Sequence, residues 1–310
     1  MGSVLRRRGC SAFNRRRTLV VLTASCALVA LGAGEAANSQ EAEPTVEPVR
    51  FTSGDAAIAG DIHLPGGAPT AGIVLVHGSG PEPRMTNLAS LLARDGFAVL
   101  TYDKRGVGES GGAYEGDNNI SWDNLHLLAA DAAAAVDALA AHPRVQRRSV
   151  GLMGFSQAGW VVPIAAADSR RVAFVALWSG PMCSVSDELL FGIATPENMA
   201  VENAAHAREG SPAQDVEAIR SYAAQIRAAG LDVDPRDSLR TLDIPGLWLF
   251  GGEDNEIPTE ISVRQLDELI RAGKSNFQQQ TLPDAGHAMR GAFQEAYAIT
   301  IEWIRSHSGA

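Results

Sequence analysis

Cysteine is scarce in this chain, and the scarcity removes two chemistries at once. Of the three cysteines, Cys10 and Cys26 fall in an N-terminal segment that reads as a leader, which leaves Cys183 alone in the rest. Neither an intramolecular disulfide nor a cysteine-based zinc cluster can be built from one thiol. Cys183 lies beyond a strand end with no turn to expose it, so it reads as buried and inert. Basic charge is also thin. Residues 1–39 hold six arginines and one acid, Glu35, and the remainder carries 20 basic against 35 acidic residues, a net of -15. A surface of that sign lacks the basic footprint that nucleic acid or anionic lipid requires. No stable membrane partner is expected. The longest apolar run, Thr18 to Leu31, is shorter than the roughly 20 residues of a membrane span. Preceded by arginines and followed by Gly32, Ala33, Gly34, Ala36 and Ala37, it reads as an export signal over residues 1–39. The expected location is periplasmic or secreted, with an uncleaved, membrane-anchored form as the alternative.

What is present suits a soluble domain: 310 residues, 45% hydrophobic and 20% charged. Residues 40–48 are polar and proline-bearing and read as a linker, with the folded domain spanning 49–310. Val49–Ser53 and Ala57–Leu64 form a hairpin pattern around Gly54 and Asp55. A rhythm of strand and helix follows. Apolar strands over 72–77, 97–102, 149–153, 172–178 and 245–250, and a more polar one over 276–282, alternate with helices near 85–95, 122–142, 157–167, 259–272 and 292–306. Uninterrupted apolar strands separated by helices indicate an α/β fold whose mostly parallel sheet is buried on both faces.

Two segments break the rhythm. The loop Asp103-Lys-Arg105-Gly106-Val-Gly108-Glu-Ser110-Gly111 contains G-x-G-x-x-G after a strand, but its last glycine opens no helix, so the dinucleotide fingerprint fails. The glycines serve a tight loop held by Asp103 and Arg105. Residues 182–242 show helical patches and no strand, an insertion expected to lie over a site as a lid and to choose the substrate.

The chemistry is concentrated at three strand ends. Gly154-Phe-Ser156-Gln-Ala158 sits where a strand turns straight into a helix, which forces the serine toward positive φ and requires small residues two positions to either side. A serine hydroxyl needs a base within hydrogen-bond reach. His287, in Gly286-His287, has the right acidity to take and return a proton. Asp254, in Gly251-Gly-Glu-Asp254-Asn-Glu-Ile-Pro258, is the carboxylate expected on the other ring nitrogen. Glu253 and Asp284 are rival acids, and His77 a rival base.

With His77-Gly78-Ser79-Gly80 and the Asp103–Ser110 loop, these motifs resemble the α/β-hydrolases, in the family's order of serine, acid, histidine. The resemblance runs from Val49 to the last helix and is nearest to esterases, lysophospholipase-like and dienelactone-hydrolase-like members. It implies a sheet of about eight strands and hydrolysis of small or medium esters or thioesters through an acyl-enzyme on Ser156. It also implies an oxyanion hole made by the backbone amides of Ser79 and Gln157, and no metal or organic cofactor. A prolyl-oligopeptidase-like peptidase is the alternative within that chemistry, and a non-catalytic binding protein on a hydrolase scaffold the alternative outside it. Oligomeric state is not readable.

Overall fold

The computed structural model describes residues 43–116, 119–145, 148–209 and 215–308. The leader expected over 1–39, with Cys10 and Cys26, lies outside the described residues. Among those described, eight strands form one sheet in the order β1-β2-β4-β3-β5-β6-β7-β8. A hairpin opens it: β1 (Thr45–Ser53) and β2 (Ala56–Leu64) pair antiparallel across Gly54-Asp55. The strand begins four residues earlier than the sequence pattern indicates, so Thr45–Pro48, expected in the linker, are ladder residues pairing Thr45 with Leu64 and Val46 with His63. An edge strand tolerates Pro48, whose missing N–H need not face a neighbour.

After β3 (Gly72–Val76), α1 (Thr86–Arg94), β4 (Ala98–Tyr102) and α2 (Trp122–Ala141), the chain runs through β5 (Val150–Phe155), α3 (Ala158–Asp168) and β6 (Val172–Trp178). Then come α4 (Val185–Gly192), α5 (Pro196–Glu209), α6 (Val216–Ala229) and α7 (Pro235–Leu239), the helical insertion. The sheet closes with β7 (Gly246–Gly251), α8 (Thr259–Arg271), β8 (Phe277–Leu282) and α9 (Phe293–His307). From β4 to β8 every neighbouring pair is parallel.

Strand alternation splits the core in two. Val74 and Val76 of β3 face one side and pack with residues of α2, α3 and α8, while Ile73 and Leu75 face the other and pack with α1 and α9. Because helices cover both faces, β3, β4, β5 and β7 are buried along nearly their whole length, the reason their sequences carry no polar alternation. Helix α2 is capped by Ser121, whose hydroxyl accepts from the Asn124 N–H at 3.2 Å.

The glycine loop after β4 is held by ion pairs of its first and third residues. Asp103 accepts from the Arg84 guanidinium at 2.7 Å and from the Glu109 N–H at 3.0 Å. Arg105 is clamped on the fully buried Asp131 of α2 at 2.5 and 3.0 Å. Cys183 is buried, and burial pushes its thiol far up, so it stays protonated and unreactive.

Candidate active site

Parallel strands bring their carboxyl ends to one edge of the sheet, and the turns leaving β3, β5, β6, β7 and β8 meet there. Between the end of β5 at Phe155 and the start of α3 at Ala158 there is no room for a loop. Ser156 therefore takes φ 52°, in the left-handed region. A side chain at Gly154 would place its Cβ 2.4 Å from the Cβ of Ala158, so the glycine is obligatory and the residue opposite must be small. The Ser156 N–H donates to the Trp178 carbonyl at 3.1 Å, which pins the elbow to β6 and leaves the hydroxyl at the rim of a cavity.

The turn after β7 carries Asp254, 6% exposed, and the single 3₁₀ turn His287–Met289 after β8 carries the histidine. His287 Nδ1 lies 3.1 Å from each oxygen of the Asp254 carboxylate. Burial alone would raise the carboxyl pKa, but the imidazole, the Ser179 hydroxyl and the Glu256 N–H all favour the ionised form and bring it below its ordinary value. Burial likewise works against the imidazolium, and Asp254, with Glu256 beside it, outweighs that and raises the His287 pKa. The other ring nitrogen, Nε2, stands 3.8 Å from a Glu256 oxygen. No hydrogen bond joins Ser156 Oγ to the ring among the described residues; such bonds are often long before substrate tightens them.

Ser179 is the member of this site that the sequence pattern does not reveal. Fully buried at the end of β6 with φ 50°, it accepts from the Ala288 N–H at 3.0 Å, and its hydroxyl favours the ionised form of Asp254. One hydroxyl thus ties the acid to the backbone beside His287. A serine before Gly180-Pro181 looks like an ordinary turn residue, so only the topology exposes the link.

A cavity of about 520 Å³ opens at Ser156 and His287. Met85, Leu88, Phe155, Trp178 and Phe293 make its apolar wall, and Gly78, Ser79, Glu82 and Glu256 its polar side. None of the described residues of the insertion lines it; α5 supplies only Val201, to a second cavity of about 430 Å³ on the far side of His287. The described wall comes from α1, β5, β6 and α9. Among the described residues neither the Ser79 nor the Gln157 N–H has an acceptor, and Ser79 lines the cavity.

The rivals stand elsewhere. Glu253 and Asp284 are exposed in the wall of the second cavity and do not bond the imidazole. His77 is buried edge-on against Tyr102 at 4.8 Å and does not line the cavity at Ser156. Burial and the nearby Lys104 charge push its pKa down to about 3, which keeps it neutral. Among the described residues no group of three or more His, Cys, Asp or Glu side chains is placed to hold a metal ion.

Residues 73–298 match the model of the Alpha/beta hydrolase family. The chain belongs to that family. Among solved structures, this α/β-hydrolase superposes on a Pyrococcus furiosus esterase with a TM-score of 0.63 at 18% identity, covering 86% of this chain and 92% of that one. It superposes on a Pyrococcus horikoshii acylaminoacyl peptidase with a TM-score of 0.62 at 17% identity, over 86% of this chain and 42% of the other. At such identities the likeness is one of fold. Among curated proteins, an Escherichia coli (strain K12) protein bearing the name carboxymethylenebutenolidase is 32% identical over an 84-residue alignment. That alignment covers 24% of this chain and 31% of the relative, so this hydrolase spans under a third of the relative's length in the match.

Proposed function

We propose that this α/β-hydrolase is a serine hydrolase that cleaves carboxylic esters or thioesters. The observation that supports it most is the Asp254–His287 pair, bonded at 3.1 Å and opening onto the same cavity as the left-handed Ser156. In this reading Ser156 Oγ attacks the carbonyl carbon as His287 Nε2 takes its proton, while Asp254 holds Nδ1–H and stabilises the imidazolium. The negative charge that develops on the substrate oxygen is met by the N–H groups of Ser79 and Gln157, the first lining the cavity and the second at the start of α3, where the helix dipole adds to it. Collapse expels the alcohol or thiol, protonated by His287. Water, deprotonated by the same ring, then releases the acid.

The acyl group packs on Met85, Leu88, Phe155, Trp178 and Phe293, a wall that suits a short or medium hydrocarbon chain in a cavity of about 520 Å³. Amide cleavage would use the same groups, so a panel of p-nitrophenyl esters, thioesters and p-nitroanilides ranks the leaving groups. Residues 1–39, arginine-rich and then apolar, support export as the setting for this activity. The test is covalent. A fluorophosphonate should leave one adduct, on Ser156, and Ser156→Ala should lose both adduct and ester turnover. Folded protein that takes no label at Ser156, or Ser156→Ala that keeps its turnover, refutes the reading.

A further inference from the structure

A lysine inside the charged run Asp103-Lys-Arg105 would ordinarily sit in water, yet Lys104 is 2% exposed. An ammonium is tolerated in such a place only when its N–H groups find acceptors. Lys104 has three donors and places them on the Gly78 carbonyl at 2.8 Å, the Gly80 carbonyl at 3.0 Å and Gln157 Oε1 at 2.9 Å. The first two acceptors flank Ser79, and the third belongs to the residue after Ser156. Gln157 is oriented in turn by its Nε2, which donates to the Asn119 carbonyl at 2.9 Å.

The geometry of one peptide unit gives these contacts a meaning. In a trans peptide the carbonyl and the following N–H point in opposite directions. Fixing the Gly78 oxygen on Lys104 therefore fixes the Ser79 N–H pointing away from the ammonium. A flip of that peptide would break a charge-assisted hydrogen bond and swing a positive N–H end toward a cation. The same contact polarises the Gly78–Ser79 peptide, which makes its N–H a stronger donor. We propose that Lys104 is a positioning residue that locks the Gly78–Ser79 peptide with its N–H turned into the site, and that it joins this turn to the elbow through the Gln157 side chain. The two oxyanion donors are then held as one unit. The inference rests on the serine-hydrolase reading and adds to it the part that keeps the oxyanion hole formed.

Lys104→Met removes all three donors at similar volume, and Lys104→Gln keeps two on a shorter arm. Each variant is compared with the unaltered protein for p-nitrophenyl butyrate turnover, for inhibition by a trifluoromethyl ketone that forms an oxyanion on Ser156, and for inhibition by butyrate, which forms none. The expected result for Lys104→Met is a kcat lower by about 100- to 1000-fold with KM within about threefold, the pattern of a donor used only in the transition state. Ketone affinity should fall with kcat, butyrate affinity should not, and Lys104→Gln should lie between. A merely structural lysine would move KM, both inhibitors and thermal stability together. A folded variant of either kind with kcat within about threefold of the original overturns the proposal. So does equal loss of ketone and butyrate affinity; if Lys104→Met does not fold, Lys104→Gln decides by the same criteria. Fluorophosphonate labelling separates the two levels. No adduct in the unaltered protein sinks the hydrolase reading itself, whereas a full adduct there with unchanged kcat in the variants sinks only the role of Lys104.

Discussion

His287 and Asp254 face each other symmetrically, with Nδ1 equidistant at 3.1 Å from both carboxylate oxygens, and the carboxylate of Glu256 stands near the opposite side of the ring. Both carboxylates hold a proton on the imidazole. A base must be neutral to accept the serine proton, so kcat/KM for an ester should rise with pH through a midpoint above the ordinary histidine value near 6.5. Glu256→Gln removes one of the raising charges and should move that midpoint to lower pH; a midpoint that stays in place shows Glu256 is electrostatically idle. Stability follows the opposite limb. The contribution of His287 is complete below its unfolded-state pKa and is lost as pH rises through the raised native value. That of Asp254 is present above the ordinary carboxyl range and is lost as pH falls through its lowered native value.

The elbow makes a steric prediction. Gly154→Ala would drive a methyl to 2.4 Å from Ala158 Cβ and 3.2 Å from the Val76 carbonyl. Overpacking of this kind costs about 1–3 kcal/mol, and the displaced turn should abolish ester turnover in whatever protein folds. Ala158→Gly, which empties the opposite side, should keep the fold and most of the activity. Thermal melts and turnover of both variants check the pair, and a fully active Gly154→Ala would show that the turn has slack.

Arg105 and Asp131 are 3% and 0% exposed, so neither charge can be released to water if its partner is removed. Arg105→Met should destabilise the domain by about 3–5 kcal/mol in urea titrations. The double change Arg105→Met with Asp131→Leu should recover much of that loss. Failure to recover would place the role of Arg105 in its contacts with Ser53 rather than in the ion pair.

Substrate length should answer to aromatic residues rather than to the insertion. Phe293, 37% exposed, packs edge-on against Trp178 at 5.7 Å on the cavity wall. Phe293→Ala should lower kcat/KM for p-nitrophenyl hexanoate by about tenfold and leave the acetate ester nearly unchanged, since only the longer chain reaches that wall. Equal losses on both esters would argue against this wall as the acyl site. Replacing Val201 with alanine should alter neither.

How far the sequence could be read depended on what each position answers to. Strands β3 to β7 were legible because burial on both faces leaves continuous apolar runs such as Gly72-Ile-Val-Leu-Val76. Ser156 was legible because its turn demands small residues at fixed offsets. The start of β1 was not, because Thr45–Pro48 are exposed and take their order from backbone pairing with β2, which leaves no trace in side-chain pattern. Ser179 and Lys104 were missed for a related reason: their partners lie 109 and 53 residues away, at Ala288 and Gln157, and only the strand order brings them together. The cavity wall escaped likewise, since Phe155, Trp178 and Phe293 meet only through topology.

The positive φ of Ser156 has an evolutionary consequence. A non-glycine residue held there costs on the order of 1–3 kcal/mol, which the surrounding fold must absorb. Glycine would relieve that cost, so Ser156→Gly should melt higher than the original while turning over nothing. Heat resistance and turnover therefore pull this one codon in opposite directions. A lineage selected for durability alone would drift toward glycine at 156, and on the proposed reading it is turnover that keeps a serine there.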